Sequence, residues 1–369
     1  MSKKTNIINN VITFAVTLGA MFLTVYFSQK AYIASLGMVI LYFIIGAILA
    51  GLVNTFCHEF GHILAGKKNG YEFSAVTVWF FKWQKIRGRL NFSLIMMGNE
   101  AGYTEMLPKS PETAKKGFKK MTLGGIIVSG VLTVLSVAPL CLTKFIPFEL
   151  YAIWSVFLPV SVYFFLGSAL PTSSAGVRND GAVLYGIKKN DSEWRVTESL
   201  LKVQAELYGG KSYGEIDKSL YFDLPQLQEN SPAFINLLNA RYNYYLDVLD
   251  YENAKKTNDR LLSLAEDYMP KEWQNVIKAD ALYNACTFDY NEDLADDLTY
   301  EIEKYLNSNN TITNVRIKLA YLLYVRKETE PLEIFIKKAE REIKRCQLKG
   351  VAKFEEKLIE KIKLDIEKV

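Results

Sequence analysis

Apolar and polar positions alone divide this chain into two unlike parts. Residues 11–27 and 31–56 contain no charged side chain, and the second apolar run continues to Ala65. Residues 121–143 and 150–171 repeat the pattern. A helix of about 20 such residues crosses a hydrocarbon core of about 30 Å, so four spans are predicted. Between the second and third, Tyr71, Phe73, Ala75, Thr77 and Trp79 alternate with Glu72, Ser74, Val76 and Val78, the two-residue period of a strand. A turn over Lys85, Ile86, Arg87, Gly88 and Arg89 and a return strand over 90–97 complete a predicted β-hairpin.

Beyond Ile187 the chain turns polar, and long runs without Gly or Pro predict helices. Stretches 239–254, 280–295 and 319–333 are loosely alike, and Asp250-Tyr251 and Asp289-Tyr290 are offset by 39 positions. That offset is near the length of a tetratricopeptide-like helical hairpin, and a plain helical bundle is the competing arrangement. Residues 344–369 interleave charges with Leu358, Ile359, Ile362, Leu364 and Ile366, an amphipathic terminal helix. The expected fold is mainly α. It is a polytopic membrane domain over 1–187, with about four transmembrane helices and a membrane-associated β-hairpin, followed by a cytoplasmic helical domain over 188–369.

Composition sharpens this division. Through residue 187 there are 16 Lys and Arg against 7 Asp and Glu, and beyond it 28 against 33. Eleven of the basic residues lie in 67–120, whereas the two opposite connections hold only Lys30 and Lys144. Basic loops stay cytoplasmic, so the N-terminus, the 67–120 loop and the C-terminal domain are all expected there, in a multi-pass protein of the cell membrane. A cleaved signal peptide is the competing reading of Lys3, Lys4 and the first apolar run, but no small-x-small cleavage site follows. With 13% aromatic residues the chain can bury a core and is not disordered. Four scattered cysteines without CxxC spacing read as reduced and structural. The basic excess lies beside apolar segments instead of forming a long polar face, so nucleic acid is not an expected partner.

Chemistry enters at CHEFGH. The chain's two histidines are His58 and His62, four apart with Glu59 between, so both imidazoles share one helix face. Two randomly placed histidines would show that spacing in roughly one case in two hundred. A hydrogen-bonded core histidine is the ordinary alternative, but it leaves a carboxylate at the inner end of an apolar helix, where ionisable groups are costly and usually functional. Zinc accounts for all three residues: two neutral imidazoles bind it, and Glu59 takes a proton from the water it acidifies. Catalytic zinc needs a third protein ligand, and no histidine remains. Asp180, just after the fourth span, fits best, with Gly181 letting the backbone pass closely and Pro171 ending the preceding helix.

At these residues the chain resembles the site-2 protease family of intramembrane zinc metallopeptidases, over roughly residues 35–187. The resemblance implies His58, His62 and Asp180 as zinc ligands and Glu59 as catalytic base. Ala101-Gly102-Tyr103 is similar to the family's Gly-Tyr element after its membrane β-hairpin. Ser168 stands where the family has Asn, and Gly124-Gly125 where many members have Gly-Pro followed by Asn. A second class of membrane HExxH peptidases uses a Glu as third ligand, for which Glu100, Glu105 and Glu112 are the nearest candidates.

The expected partners are a membrane-inserted protein or peptide substrate, the lipid bilayer, and a protein bound by the cytoplasmic helical domain. The hairpin could take an unwound substrate as an added strand, or lie on headgroups with Trp79, Phe80, Phe81 and Trp83 as anchors. Asn54, one turn before His58, Trp79 and Tyr103 are the candidate substrate contacts. Cys57 reads as an inert thiol, and Gly124, Gly125, Ser129 and Gly130 as packing residues of the third span. The alternative function is a catalytically silent membrane adaptor, with a structural metal and a partner-binding helical domain.

Overall fold

The computed structural model describes residues 3–32, 35–86, 88–95, 101–174, 177–269, 271–308 and 311–366. Arg87, Glu100, the far end of the expected return strand at 96–97 and the last residues of the terminal helix at 367–369 lie outside the described residues. The chain divides into two units, Met1–Pro108 with Thr113–Trp194, and Lys109–Glu112 with Arg195–Val369.

Four helical segments of the first unit are long and apolar enough to cross a membrane. They are α1 (Lys3–Ala31), α2 (Leu36–Lys68), α3 (Pro111–Leu135) with the short α4 (Ala138–Cys141), and α5 (Phe148–Ser155) with α6 (Phe157–Ala169). Pro159 accounts for the break in the last. It has no N–H for the Ser155 carbonyl, and its ring crowds that carbonyl. The carbonyl accepts instead from the Thr24 hydroxyl of α1 at 3.3 Å, and Tyr151 donates to the Thr24 carbonyl at 2.7 Å.

Side-chain bonds at both ends fix how the helices run. At one end Tyr32 donates to the carbonyls of Thr143 and Ile146 in the α4–α5 connection, at 2.8 and 2.9 Å. At the other, Asn6 and Asn9 of α1 reach Ser173 and Pro171, just past α6. The start of α1 and the end of α6 therefore share a rim. Along α2 the exposed face is apolar (Leu41, Ile44, Ile48, Phe56, Phe60, Leu64), while Asn54, Thr55, Glu59 and His62 are buried. That is the reverse of a helix facing water.

The single hairpin expected over 71–97 is instead three strands of a four-stranded antiparallel sheet in the order β3-β2-β1-β4, with the expected turn leading to an edge strand. Its strands are β1 (Tyr71–Val78), β2 (Phe81–Ile86), β3 (Arg89–Leu94) and β4 (Gly102–Pro108). The turn at Gly88 falls where expected, with φ +73. An earlier reversal at Trp79-Phe80 carries none of the usual Gly, Asn or Asp signals, and Trp79 adopts it with φ 56. The strict alternation expected for β1 also fails. A bulge at Ser74 shifts the register between Phe73 and Ala75, so Tyr71 and Phe73 before it and Val76 and Val78 after it all face the core with Ile63, Met106 and Met121. Past α6 come β5 (Ser173–Ser174), β6 (Val177–Arg178), α7 (Asp180–Lys189) and α8 (Ser192–Gly209).

The second unit is helical: α9 (Ser219–Phe222), α10 (Pro232–Asp247), α11 (Tyr251–Tyr268), α12 (Lys271–Thr287), α13 (Glu292–Ser308), α14 (Ile312–Ala320) running into a π-helical turn at Tyr321–Arg326, α15 (Leu332–Ile343) and α16 (Lys349–Ile366). Helices α10/α11, α12/α13 and α14/α15 pack as successive pairs. Leu249, Tyr290 and Lys327 each end the first member of a pair, all with positive φ (63, 48 and 56). Asn239, Asp280 and Leu319, which opened the three similar sequence stretches, lie in the first helix of each pair. The core of this unit holds a fully buried ion pair, Arg316 Nε to Glu355 Oε2 at 2.6 Å, with the guanidinium over the Tyr283 ring.

Candidate metal centre

Helix α2 carries His58, Glu59 and His62 in its last third. The imidazole planes stand at 89° to one another with their Nε2 atoms 3.1 Å apart. Asp180, the first residue of α7, places Oδ2 3.1 Å from His58 Nε2 and 3.4 Å from His62 Nε2. Donors about 2.1 Å from one ion stand about 3.0–3.4 Å apart, so these three atoms suit a single metal ion. His58, His62 and Asp180 form the one such group found among the described residues.

The outer nitrogens fit the same purpose. His62 Nδ1 lies 2.8 Å from the Met121 carbonyl, which can only accept, so its Nε2 lone pair faces the site. His58 Nδ1 pairs with Ser129 Oγ at 2.9 Å. Both partners belong to α3, which approaches α2 closely because glycines meet where they touch. A Cβ on Gly124 would collide with the Gly61 carbonyl, and one on Gly125 would lie 2.5 Å from both Cε1 and Nε2 of His62. Gly124 and Gly130, which meets Phe165, are packing residues as expected. Gly125 and Ser129 do more: one leaves room for the rings and the other holds one in place.

Asp180 is delivered by a side chain that uses all its hydrogen-bonding capacity. Asn179 Oδ1 accepts from the N–H groups of Thr172 (3.0 Å) and Ala182 (2.9 Å), capping α7, while Nδ2 donates to the carbonyls of Leu170 (2.7 Å) and Gly167. The end of α6, the connecting loop and the start of α7 thus share one clamp. Gly181 permits the fit, since a Cβ there would run into the Ala169 carbonyl. Arg178 adds ion pairs to Asp191 (2.9 Å) and Glu193 (2.7 Å).

Glu59 faces the sheet. Its Oε2 accepts from the Thr104 hydroxyl of β4 at 2.6 Å, and Oε1 lies against Gly102, where a Cβ would stand only 2.6 Å away. The absent side chain of Gly102 is what lets the strand rest on the carboxylate. Of the other candidate residues, Tyr103 is exposed on β4, while Trp79 is half-buried and packs against Gly51. Asn54 is fully buried and donates back to the Ala50 carbonyl at 2.9 Å, and its Oδ1 has no partner among the described residues. None of these three is among the metal-holding group. Glu105 accepts from Ser74 Oγ at 3.1 Å and Glu112 is exposed, so neither stands in for Asp180. All four cysteines are free thiols.

Compared with protein-family models, curated proteins and solved structures, the chain matches none of them, so the reading of this centre rests on its own residues.

Proposed function

We propose that this chain is an intramembrane metalloprotease of the site-2 protease kind, which hydrolyses a membrane-inserted or membrane-associated protein or peptide near the cytoplasmic face. One observation carries the reading: His58, His62 and the sequence-distant Asp180 converge at one end of a long apolar helix, with Glu59 on the next face of the same turn. Two imidazoles and one carboxylate suit catalytic zinc, whose fourth position is filled by water or substrate and which would polarise the scissile carbonyl and acidify that water near neutral pH. Glu59 would take the proton of the attacking water and return it to the amide nitrogen as the C–N bond breaks. Thr104, by holding one carboxylate oxygen, aims the other.

Sheet order leaves β3 and β4 as edges, and β4 is the edge beside Glu59. An extended substrate pairing along β4 would present its carbonyls there, past the exposed Tyr103, as a helical peptide could not. The exposed Leu90, Phe92 and Leu94 of β3, with Trp83 and Phe81 against Phe92, suit the lipid interface. In this reading the rim shared by Asn6, Ser173 and the metal group faces the cytoplasm. The paired helices of the second unit would bind a protein partner in the manner of tetratricopeptide-like arrays.

The test is Glu59→Gln in purified full-length protein, with metal content and cleavage of a membrane-inserted peptide measured together. Retained zinc and lost cleavage are expected; normal cleavage by the variant refutes the mechanism. Metal analysis also separates zinc from iron, the other common ion of a two-imidazole, one-carboxylate set. A wild-type protein that holds its metal yet cleaves no membrane substrate would instead be the metal-stabilised adaptor.

A further inference from the structure

The third metal ligand sits after an irregular stretch, and what fixes that stretch decides whether the ligand is in place. Its local restraints are the short β5–β6 pairing with the Asn179 N–H on the Thr172 carbonyl, the Asn179 clamp, and the pairing of Arg178 with Asp191 and Glu193. Another comes from far away in the sequence. Asn6 Oδ1 accepts from the Ser173 N–H at 3.1 Å while Nδ2 donates to the Ser173 carbonyl at 2.8 Å, the two-sided pairing that a neighbouring strand would offer. One turn on, Asn9 Nδ2 donates to the Pro171 carbonyl at 2.7 Å. Beside a bilayer these are backbone groups that must find partners within the protein.

We infer that α1 is a positioning arm for the metal centre: Asn6 and Asn9 hold the 171–174 backbone and so set where Asp180 stands relative to His58 and His62. This rests on the metal reading of the site. The arm is itself anchored deeper in the bundle, where Thr24 and Tyr151 tie α1 to α5 and Thr24 reaches the Ser155 carbonyl. Asn6, Asn9, Thr13, Thr17, Ala20 and Thr24 recur at the three- and four-residue spacing of one helix face. A span that supplies none of the three ligand atoms thereby governs one of them. Asn6 and Asn9 are positioning residues, and the chemistry of Glu59 does not depend on them directly.

The experiment uses full-length protein in nanodiscs with Asn6→Ala, Asn9→Ala and the double variant, and with Asn10→Ala, an exposed neighbour, as control. Zinc affinity is read by chelator competition, and backbone exchange of the 171–179 segment by hydrogen–deuterium exchange on the metal-free protein. The double variant is expected to lose about tenfold in zinc affinity, the range of outer partners of metal ligands, and to exchange the Ser173 amide at least about tenfold faster. Asn10→Ala should change neither. Wild-type zinc affinity in the double variant, or unchanged exchange across 171–179, overturns the arm. A wild-type protein that binds no metal ion sinks the reading of the centre, and the exchange result still decides whether α1 holds the loop.

Discussion

Gly125→Ala places one methyl group against both imidazoles. Its Cβ would lie 2.5 Å from His62 Cε1 and Nε2 and 2.9 Å from His58 Cε1, where carbon atoms ordinarily approach to about 3.5–4.0 Å. About 1 Å must therefore be found. The rings cannot swing freely, because their outer nitrogens are held by Met121 and Ser129 of the same helix that carries the methyl. Nor can α3 close up elsewhere, since Gly124 already touches Gly61. Either the helices separate, at the 1–3 kcal/mol typical of overpacking, or the Nε2 atoms lose their convergence. A donor displaced by about 1 Å no longer coordinates, so zinc affinity is expected to fall about 100-fold or more, close to 2.7 kcal/mol. Chelator competition measures it, with thermal unfolding of the metal-free protein as the folding control. Gly130→Ala, whose Cβ meets the Phe165 ring edge at 3.2 Å, should shift affinity less than about threefold. Affinity of Gly125→Ala within that same margin of wild type would refute the placement of α3 against the metal ligands.

Ser129→Ala removes the outer partner of His58 and should lower zinc affinity about tenfold while leaving Glu59 in place; isothermal titration checks it. Thr104→Val frees Glu59 Oε2 and should leave zinc affinity unchanged while lowering kcat for a membrane peptide about tenfold, seen in steady-state cleavage. Arg316→Met leaves Glu355 as an uncompensated buried charge and should cost about 3–5 kcal/mol in denaturant unfolding of the second unit, whereas Arg316→Met with Glu355→Met should cost less than either single change. Burial pushes the Asp280 carboxyl up to about 7, Arg316 opposing and Glu355 reinforcing it. The folded state then holds a proton that the unfolded state releases near 3.9, so stability falls as pH rises from about 4 to about 7, by up to about 4 kcal/mol. Asp280→Asn should flatten that part of the stability profile, and a slope unchanged from wild type would count against it.

What could be read from the sequence divides along physical lines. Runs without charge and the spacing of His58, Glu59 and His62 are local properties, and the helices that carry them follow directly. Asp180 was reachable because no third histidine exists and because Gly181 and Pro171 signal a chain that must break and fold back. The reversal at Trp79-Phe80 is invisible in the sequence, since neither residue advertises a turn, and Trp79 takes its positive φ with its ring against Gly51 and its N–H donating to the Ala101 carbonyl, contacts that only the fold supplies. The Ser74 bulge was hidden for a related reason: alternation is a strand signal only while the register holds, and one extra residue reverses it. Ser129 could not be told from the other small residues of α3. Its role exists only once Gly61 and Gly124 bring the two helices together.

The imidazoles of α2 and the carboxylate beside them are answered from different elements, and this separates the two jobs proposed for the centre. His58 and His62 are oriented by α3, and Asp180 is placed by the Asn179 clamp between α6 and α7. Glu59 alone is held by the sheet, through Thr104 and the bare Gly102. In the proposed mechanism a peptide added along β4 would load the strand that holds Glu59, while the candidate metal ligands are held by helices. Substrate engagement would therefore adjust the aim of Glu59 without loosening the metal. For the same reason Ser129→Ala and Thr104→Val should show opposite signatures, one in metal affinity and the other in turnover. Such a division would suit the proposed protease, whose substrate must unwind before it is cut, because Glu59 need be correctly aimed only once a strand is in place.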